Sequence, residues 1–184
     1  IERTYPLADG SGRRMQVART ACDLHGEPGV SEMAWQFARE VRGTPLGRRF
    51  RLVRGGNTLK APRVQVREHE DTKAAELRPL EYLELNVDRL KSMVYGAIGR
   101  DEPGPGHVHF PGWLAVDWYD ELLSEVRDPK SGRYVKVTRR NEALDLMVYE
   151  TDSFVREPRI RIDENDAYFR SVSAGWGGAL RRAV

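Results

Sequence analysis

Apolar and polar positions alternate along residues 14–22, with Met15 and Val17 on one face and Ala18, Thr20 and Cys22 on the other, and this period of two predicts a strand. Asp23 stands at its C-terminal end. The run His25-Gly26-Glu27-Pro28-Gly29 reads as a turn. Beyond it the period changes: Ala34, Phe37, Ala38 and Val41 fall on one helical face, with Ser31 placed as N-cap and Gly43 closing the helix. A second strand is predicted at 49–53, so this region forms a βαβ unit, which implies a parallel pair covered by a helix.

Residues 55–79 are polar and weakly periodic, and fit a hairpin, a long loop or an arm over a substrate groove. Order returns with a short strand at 82–85 and a helix carrying Leu90, Met93, Val94, Ala97 and Ile98, which either Asn86 or Asp88 can cap. After a Gly-Pro loop at 102–106, the pattern predicts a short strand at 107–110 and a helix at 118–126. The turn Lys130-Ser131-Gly132 leads to a strand at 133–137, and a helix follows from 141 to about 154. Residues 156–184 show no sustained period and read as a tail, with no internal repeat anywhere.

Length adds a bound: 184 residues suit one domain, here 1–155, plus that tail. No apolar run approaches the roughly 20 residues that cross a bilayer, and no membrane partner is expected. The opening Ile1-Glu2-Arg3-Thr4-Tyr5-Pro6 has no secretory pattern and reads as the start of a piece of a longer polypeptide. One cysteine, Cys22, excludes an internal disulfide and a multi-cysteine zinc site, and fits a reducing compartment. Net charge is only +2, yet Arg48, Arg49, Arg51, Arg54, Lys60, Arg63 and Arg67 fall in one segment. Arg49, Arg51, Arg54, Lys60 and Arg63 are the candidate contacts to a phosphate backbone, with a solvated surface as the plainer alternative.

Carboxylates at a strand end and on a late helix suit a hard cation such as magnesium, which takes oxygen ligands. Asp23 and Asp145 are the candidates. Asn141 can cap the last helix, which places Asp145 near its first turn, where the helix dipole favours an ionised carboxylate. Complementing that dipole is the ordinary role of such a residue, and spacing alone leaves both readings open. Glu142 lies on the same face as Asp145, while Leu144, Met147 and Val148 can bury against a sheet.

Three further runs carry a resemblance: Tyr82-Leu83-Glu84-Leu85-Asn86-Val87-Asp88-Arg89-Leu90-Lys91, Glu102-Pro103-Gly104-Pro105-Gly106-His107-Val108-His109-Phe110-Pro111, and Arg139-Arg140-Asn141-Glu142-Ala143-Leu144-Asp145-Leu146-Met147-Val148-Tyr149. In order and spacing they resemble the large terminase subunit of lambda-like tailed phages and related prophages, over most of residues 13–149. The resemblance implies an α/β, RNase H-like nuclease fold, with a mixed sheet flanked by helices. It also implies a two-metal site of Mg2+ or Mn2+, in which one ion activates water and the other stabilises the leaving oxygen. Asp145 matches the family's late-helix acidic ligand and Asp23 the acidic residue after its third strand, although Leu24-His25 replaces the usual Ser/Thr-Gly. The family's first-strand aspartate has no counterpart, since the chain begins after that strand; Asp9, before Gly10-Ser11-Gly12, is a poor replacement. Arg54-Gly55-Gly56 corresponds to a Lys-Gly element of the family.

No Gly-x-x-x-x-Gly-Lys-Ser/Thr loop occurs, so no ATP site is expected in this chain. What the resemblance implies is a metal-dependent endonuclease that cuts concatemeric double-stranded DNA in the host bacterial cytoplasm during phage assembly. Cleavage sites would be chosen by the small terminase subunit, and the tail would dock to the portal protein. The competing expectation is a catalytically incomplete DNA-holding and portal-docking module. Other residues read more plainly: His107 and His109 as packing, Asp88 with Lys91 as a surface ion pair, Cys22 as a small buried residue, and Trp35, Trp113, Trp118 and Trp176 as core.

Overall fold

The computed structural model describes residues 3–6, 10–69, 79–102, 107, 108, 110 and 112–155, with side chains up to Thr151 in the last helix. Strands β1 (Thr4–Pro6) and β2 (Arg14–Gln16) pair as a small antiparallel ribbon. After β3 (Thr20–Asp23) come α1 (Val30–Glu40), the short α2 (Pro45–Arg49), β4 (Phe50–Gly56) and β5 (Val64–His69). Next are β6 (Leu80–Asn86), α3 (Val87–Ile98) and α4 (Val116–Leu122). The short strands β7 (Glu125–Arg127) and β8 (Tyr134–Lys136) pair antiparallel, and α5 (Glu142–Val155) closes the described chain.

The central sheet is mixed, in the order β3-β4-β6-β5. β3, β4 and β6 run parallel and β5 is antiparallel to β6. The predicted βαβ pair is therefore present, with Asp23 level with Val53, and Val53 with Leu83. Alternation along the strands splits the apolar residues between two faces. Cys22, Leu24, Phe50, Leu52 and Tyr82 pack with Ala34, Phe37, Ala38 and Val41 under α1. Ala21, Val53, Leu83 and Leu85 pack on the other face with Leu90 and Val94 of α3, Leu122 of α4, and Ala143, Leu144 and Val148 of α5.

Several expected elements are revised. The strand at 14–22 is two strands in separate sheets: β2 is wholly exposed, whereas β3 is half-buried between the two cores. α1 starts earlier than Ser31. Gly29 is its N-cap at φ 92°, a left-handed conformation that glycine adopts freely, and the Ser31 hydroxyl donates to Leu24 O at 2.5 Å. Of the two caps weighed for α3, Asn86 is the one used, accepting from Arg89 N–H at 3.2 Å. Within 55–79 lies the edge strand β5. Its residues Val66, Arg67 and Glu68 are exposed whichever face they lie on, so the strand carries no apolar alternation.

The helix expected at 118–126 ends at Leu122, and β7 begins at Glu125. The Tyr95 hydroxyl donates to the carbonyls of Leu122 and Glu125, and Ser124 O accepts from Val137 N–H, so these carbonyls leave the helical ladder. No strand forms at the described residues 107, 108 and 110. The tail, 156–184, lies outside the described residues.

Candidate active site

Asp23 owes its direction to the pleat. Cys22 and Leu24 face α1, so Asp23 between them faces α5. Its Oδ1 accepts from His25 N–H at 3.0 Å, and the His25 ring lies 3.7 Å from the same oxygen. Its Oδ2 accepts from the Tyr149 hydroxyl at 3.0 Å. Burial and the adjacent Asp23 carboxylate raise the Tyr149 pKa well above the ordinary phenol value, so this hydroxyl is a permanent donor.

Tyr149 is four residues after Asp145 and therefore one turn along the same face of α5. The two candidate aspartates are thus gathered on one side of the sheet, although 122 positions separate them in the chain. Four residues before Asp145 stands Asn141, whose carbonyl accepts from Asp145 N–H at 3.0 Å. Its side-chain amide does not act as the expected acceptor cap but donates to Asp145 Oδ2 at 2.9 Å and to Glu125 Oε1 at 2.8 Å. The two carboxylates fix the amide's orientation, because only its NH2 can face both.

Lys91 completes the cluster and corrects an expectation. It does not pair with Asp88 on the surface: its Nζ lies 2.8 Å from both oxygens of Glu125 and 3.6 Å from Asp145 Oδ1. The Lys91 and Glu125 side chains are only 10% and 3% exposed. Asp88 instead accepts from Tyr134 N–H at 2.8 Å, beside Arg133. Asp145 is more open, with 33% of its side chain exposed. Burial raises its pKa above the usual carboxylate value; Lys91 opposes that shift and Glu125 adds to it.

The basic cluster divides. Arg54 sits at the exposed C-terminal part of β4 with its Nε 3.4 Å from His25 Nε2, close to Asp23. Lys60 and Arg63 lie in the β4–β5 connection at the same end of the sheet. Asn86 holds that connection, its Nδ2 donating to the carbonyls of Thr58, Leu59 and Ala61 at 3.3, 3.0 and 2.9 Å. Lys60 and Asn86 line an open groove of about 250 Å³ there. Arg49 and Arg51 are at the opposite end of β4, where Arg49 donates to Gln16 and Val17 and Arg51 to Gly47 and Phe50. In the Arg54-Gly55-Gly56 run, a Cβ at Gly56 would stand 3.0 Å from Glu84 Cγ and 3.3 Å from Leu85 O, which explains the glycine.

Among the residues read plainly, Cys22 is half-buried in the α1 core and its thiol pKa is raised by burial and by Asp23, which keeps it protonated. Trp35 stacks on His69 at 4.1 Å and Trp118 packs on Phe110, whereas Trp113 is 81% exposed, contrary to the core expectation. His109 and Trp176 lie outside the described residues.

Asp23 and Asp145 offer oxygen donors of the kind magnesium takes, and one or two carboxylates completed by water and phosphate suffice for that ion. Among the described residues no group of three or more His, Cys, Asp and Glu is arranged to hold a metal. Asp23 and Asp145 are thus the residues that would hold such an ion, and the described residues supply no protein cage for a pair. The sequence pattern did not single out Glu125, Tyr149 or His25 as neighbours of the site, and for Lys91 it favoured a surface pair with Asp88 over a place near the site. Tyr149 was the accessible one, through its four-residue spacing from Asp145. In comparisons with known proteins, the model of the family described as "Terminase large subunit gpA, endonuclease domain" matches residues 1–161. No curated protein and no solved structure matches the chain.

Proposed function

The chain belongs to the family of terminase large subunit gpA endonuclease domains, which gives it a nuclease role on DNA during packaging, and on that premise we propose that it cuts concatemeric double-stranded DNA at Asp23 and Asp145 with Mg2+ or Mn2+. The observation that carries this reading is the Tyr149–Asp23 hydrogen bond of 3.0 Å, which draws the end of β3 to the face of α5 that bears Asp145. When bound, the ion supplies a Lewis acid that polarises the phosphoryl oxygen. The chain's own groups orient the carboxylates: Tyr149 and the His25 amide hold Asp23, while Asn141 and Lys91 hold Asp145. In this reading Arg54, exposed beside His25, and Lys60, on the connection fixed by Asn86, take backbone phosphates and keep the duplex in register.

The mixed sheet with acids at a strand end and on a late helix supports an RNase H-like assignment. In this reading 1–155 is the nuclease domain and 156–184 a portal-docking tail. The small terminase subunit chooses the cleavage site, and the reaction takes place in the host cytoplasm. The test is nicking and linearisation of supercoiled plasmid with Mn2+, comparing the chain with Asp145→Ala. We expect the variant's rate to fall at least about a hundredfold, on the order of 3 kcal/mol of transition-state stabilisation. Undiminished cutting by Asp145→Ala would sink the assignment.

A further inference from the structure

Asp23, Asp145 and Glu125 gather with the Lys91 ammonium on one side of the sheet, and that ammonium is placed where a cation bridging two of the carboxylates would be. Lys91 Nζ is 2.8 Å from each Glu125 oxygen and 3.6 Å from Asp145 Oδ1, and Asn141 Nδ2 spans the same two carboxylates from the other donor position. We propose that Lys91 is the site's built-in cation, holding between Glu125 and Asp145 the place of a second divalent ion, so that one divalent ion per chain completes the centre. This rests on the metal-dependent reading above and narrows it.

Charge balance argues the same way. Asp23, Asp145 and Glu125 against Lys91 leave two negative charges, which one divalent ion neutralises. Glu142 and Lys136, charges acting on the α5 side, are opposite in sign and offset each other, while Arg54, across the His25 ring from Asp23, adds a positive charge that further disfavours a second ion. A second divalent ion would meet the Lys91 ammonium at short range in a half-buried setting, where repulsion is screened poorly. Two-metal centres need ions about 3.5–4 Å apart with carboxylates shared between them. Here the carboxylate beside Asp145 has both oxygens committed to an ammonium.

The test is a titration of the metal-free chain with Mn2+, counting bound ions from the electron-spin-resonance signal of free Mn2+. We expect one ion per chain. Two ions would overturn the inference and leave the metal-dependent reading intact; no binding would overturn both. Lys91→Met releases Glu125 and is expected to take up a second ion, and the added Glu125→Gln change should return the count to one. A folded Lys91→Met chain that still binds a single ion would overturn the role given to Lys91. That variant leaves Glu125 buried without its cation, so its melting temperature is read as well, and Mn2+ should raise it more than it raises the parent's. The parent's count decides between one ion and two without any variant.

Discussion

The two faces of the central sheet solve different problems with the same strands. Under α1 the contacts are apolar: Leu24, Phe50 and Leu52 meet Ala34, Phe37 and Val41, and burial of hydrocarbon is what stabilises them. Under α3, α4 and α5, Leu85, Leu90, Leu144 and Val148 form a core of the same kind, but Lys91, Glu125 and Asn141 are nearly buried at its margin. Charges in that position cost desolvation, and their mutual attraction offsets it only while every partner is present. The first face holds the fold; the second also spends stability on orienting Asp145 and Asp23.

The sharpest way to break this comparison is to remove one partner of the buried pair. Glu125→Ala leaves the Lys91 ammonium without its bidentate acceptor and should cost about 3–5 kcal/mol of unfolding free energy in urea titration. A cavity on the apolar face, Leu52→Ala, falls in a similar range of about 2–5 kcal/mol. The faces separate at the next step. Replacing both members, as Lys91→Met with Glu125→Leu, should recover most of the loss, because the cost was an uncompensated charge and not missing volume. Failure of the double variant to recover stability would mean that the loss was not that of an uncompensated charge.

A smaller effect is expected from Tyr149→Phe, which deletes one hydroxyl at the junction of the two aspartates. Removal of a group that orients a ligand commonly costs about 10–100-fold in activity or metal affinity, and we expect the lower end, about tenfold, in plasmid cleavage. Unfolding free energy should change by no more than about 1.5 kcal/mol. An unchanged cleavage rate would detach Asp23 from Tyr149 functionally and weaken the claim that this face orients its acids.

How far each face was legible in the sequence follows from the range of its contacts. The apolar face was read almost whole, since Ala34, Phe37, Ala38 and Val41 carry a helical period and the neighbouring strand positions alternate. The other face was read only where periodicity reached. Asp145 and its helix were placed, and Asp23 was set correctly at a strand end. Lys91 was assigned to a surface pair with Asp88 because both sit on one helix, yet its partner Glu125 lies 34 positions away. Glu125 itself was hidden inside an expected helix, because nothing local signals that Tyr95 and Val137 draw the carbonyls after α4 out of the helical ladder. A basic cluster that is compact in sequence was divided between the two ends of β4, since the extended strand carries Arg51 and Arg54 about 10 Å apart and Arg49 precedes it in α2.

The smallest effect is also the most diagnostic of the polar face. Burial raises the pKa of Asp145 above the ordinary carboxylate value, with Lys91 only partly opposing it. A carboxylate whose folded pKa is raised binds its proton more tightly in the native state. Its contribution to stability is therefore complete below the unfolded pKa and is lost as pH rises through the folded one. At neutral pH the ionised Asp145 thus lowers stability. Asp145→Asn keeps an oxygen that can accept from Asn141 and removes the charge, so it should melt about 1–3 °C higher than the parent at pH 7, even as it abolishes cleavage. The advantage should shrink as pH falls through the raised pKa and be gone below the ordinary carboxylate range, where the parent residue is itself neutral. Melting curves of both chains at pH 3, 5 and 7 would check this. A variant less stable than the parent at pH 7 would show that Lys91 and Asn141 more than compensate the charge, placing Asp145 among the groups that hold the fold.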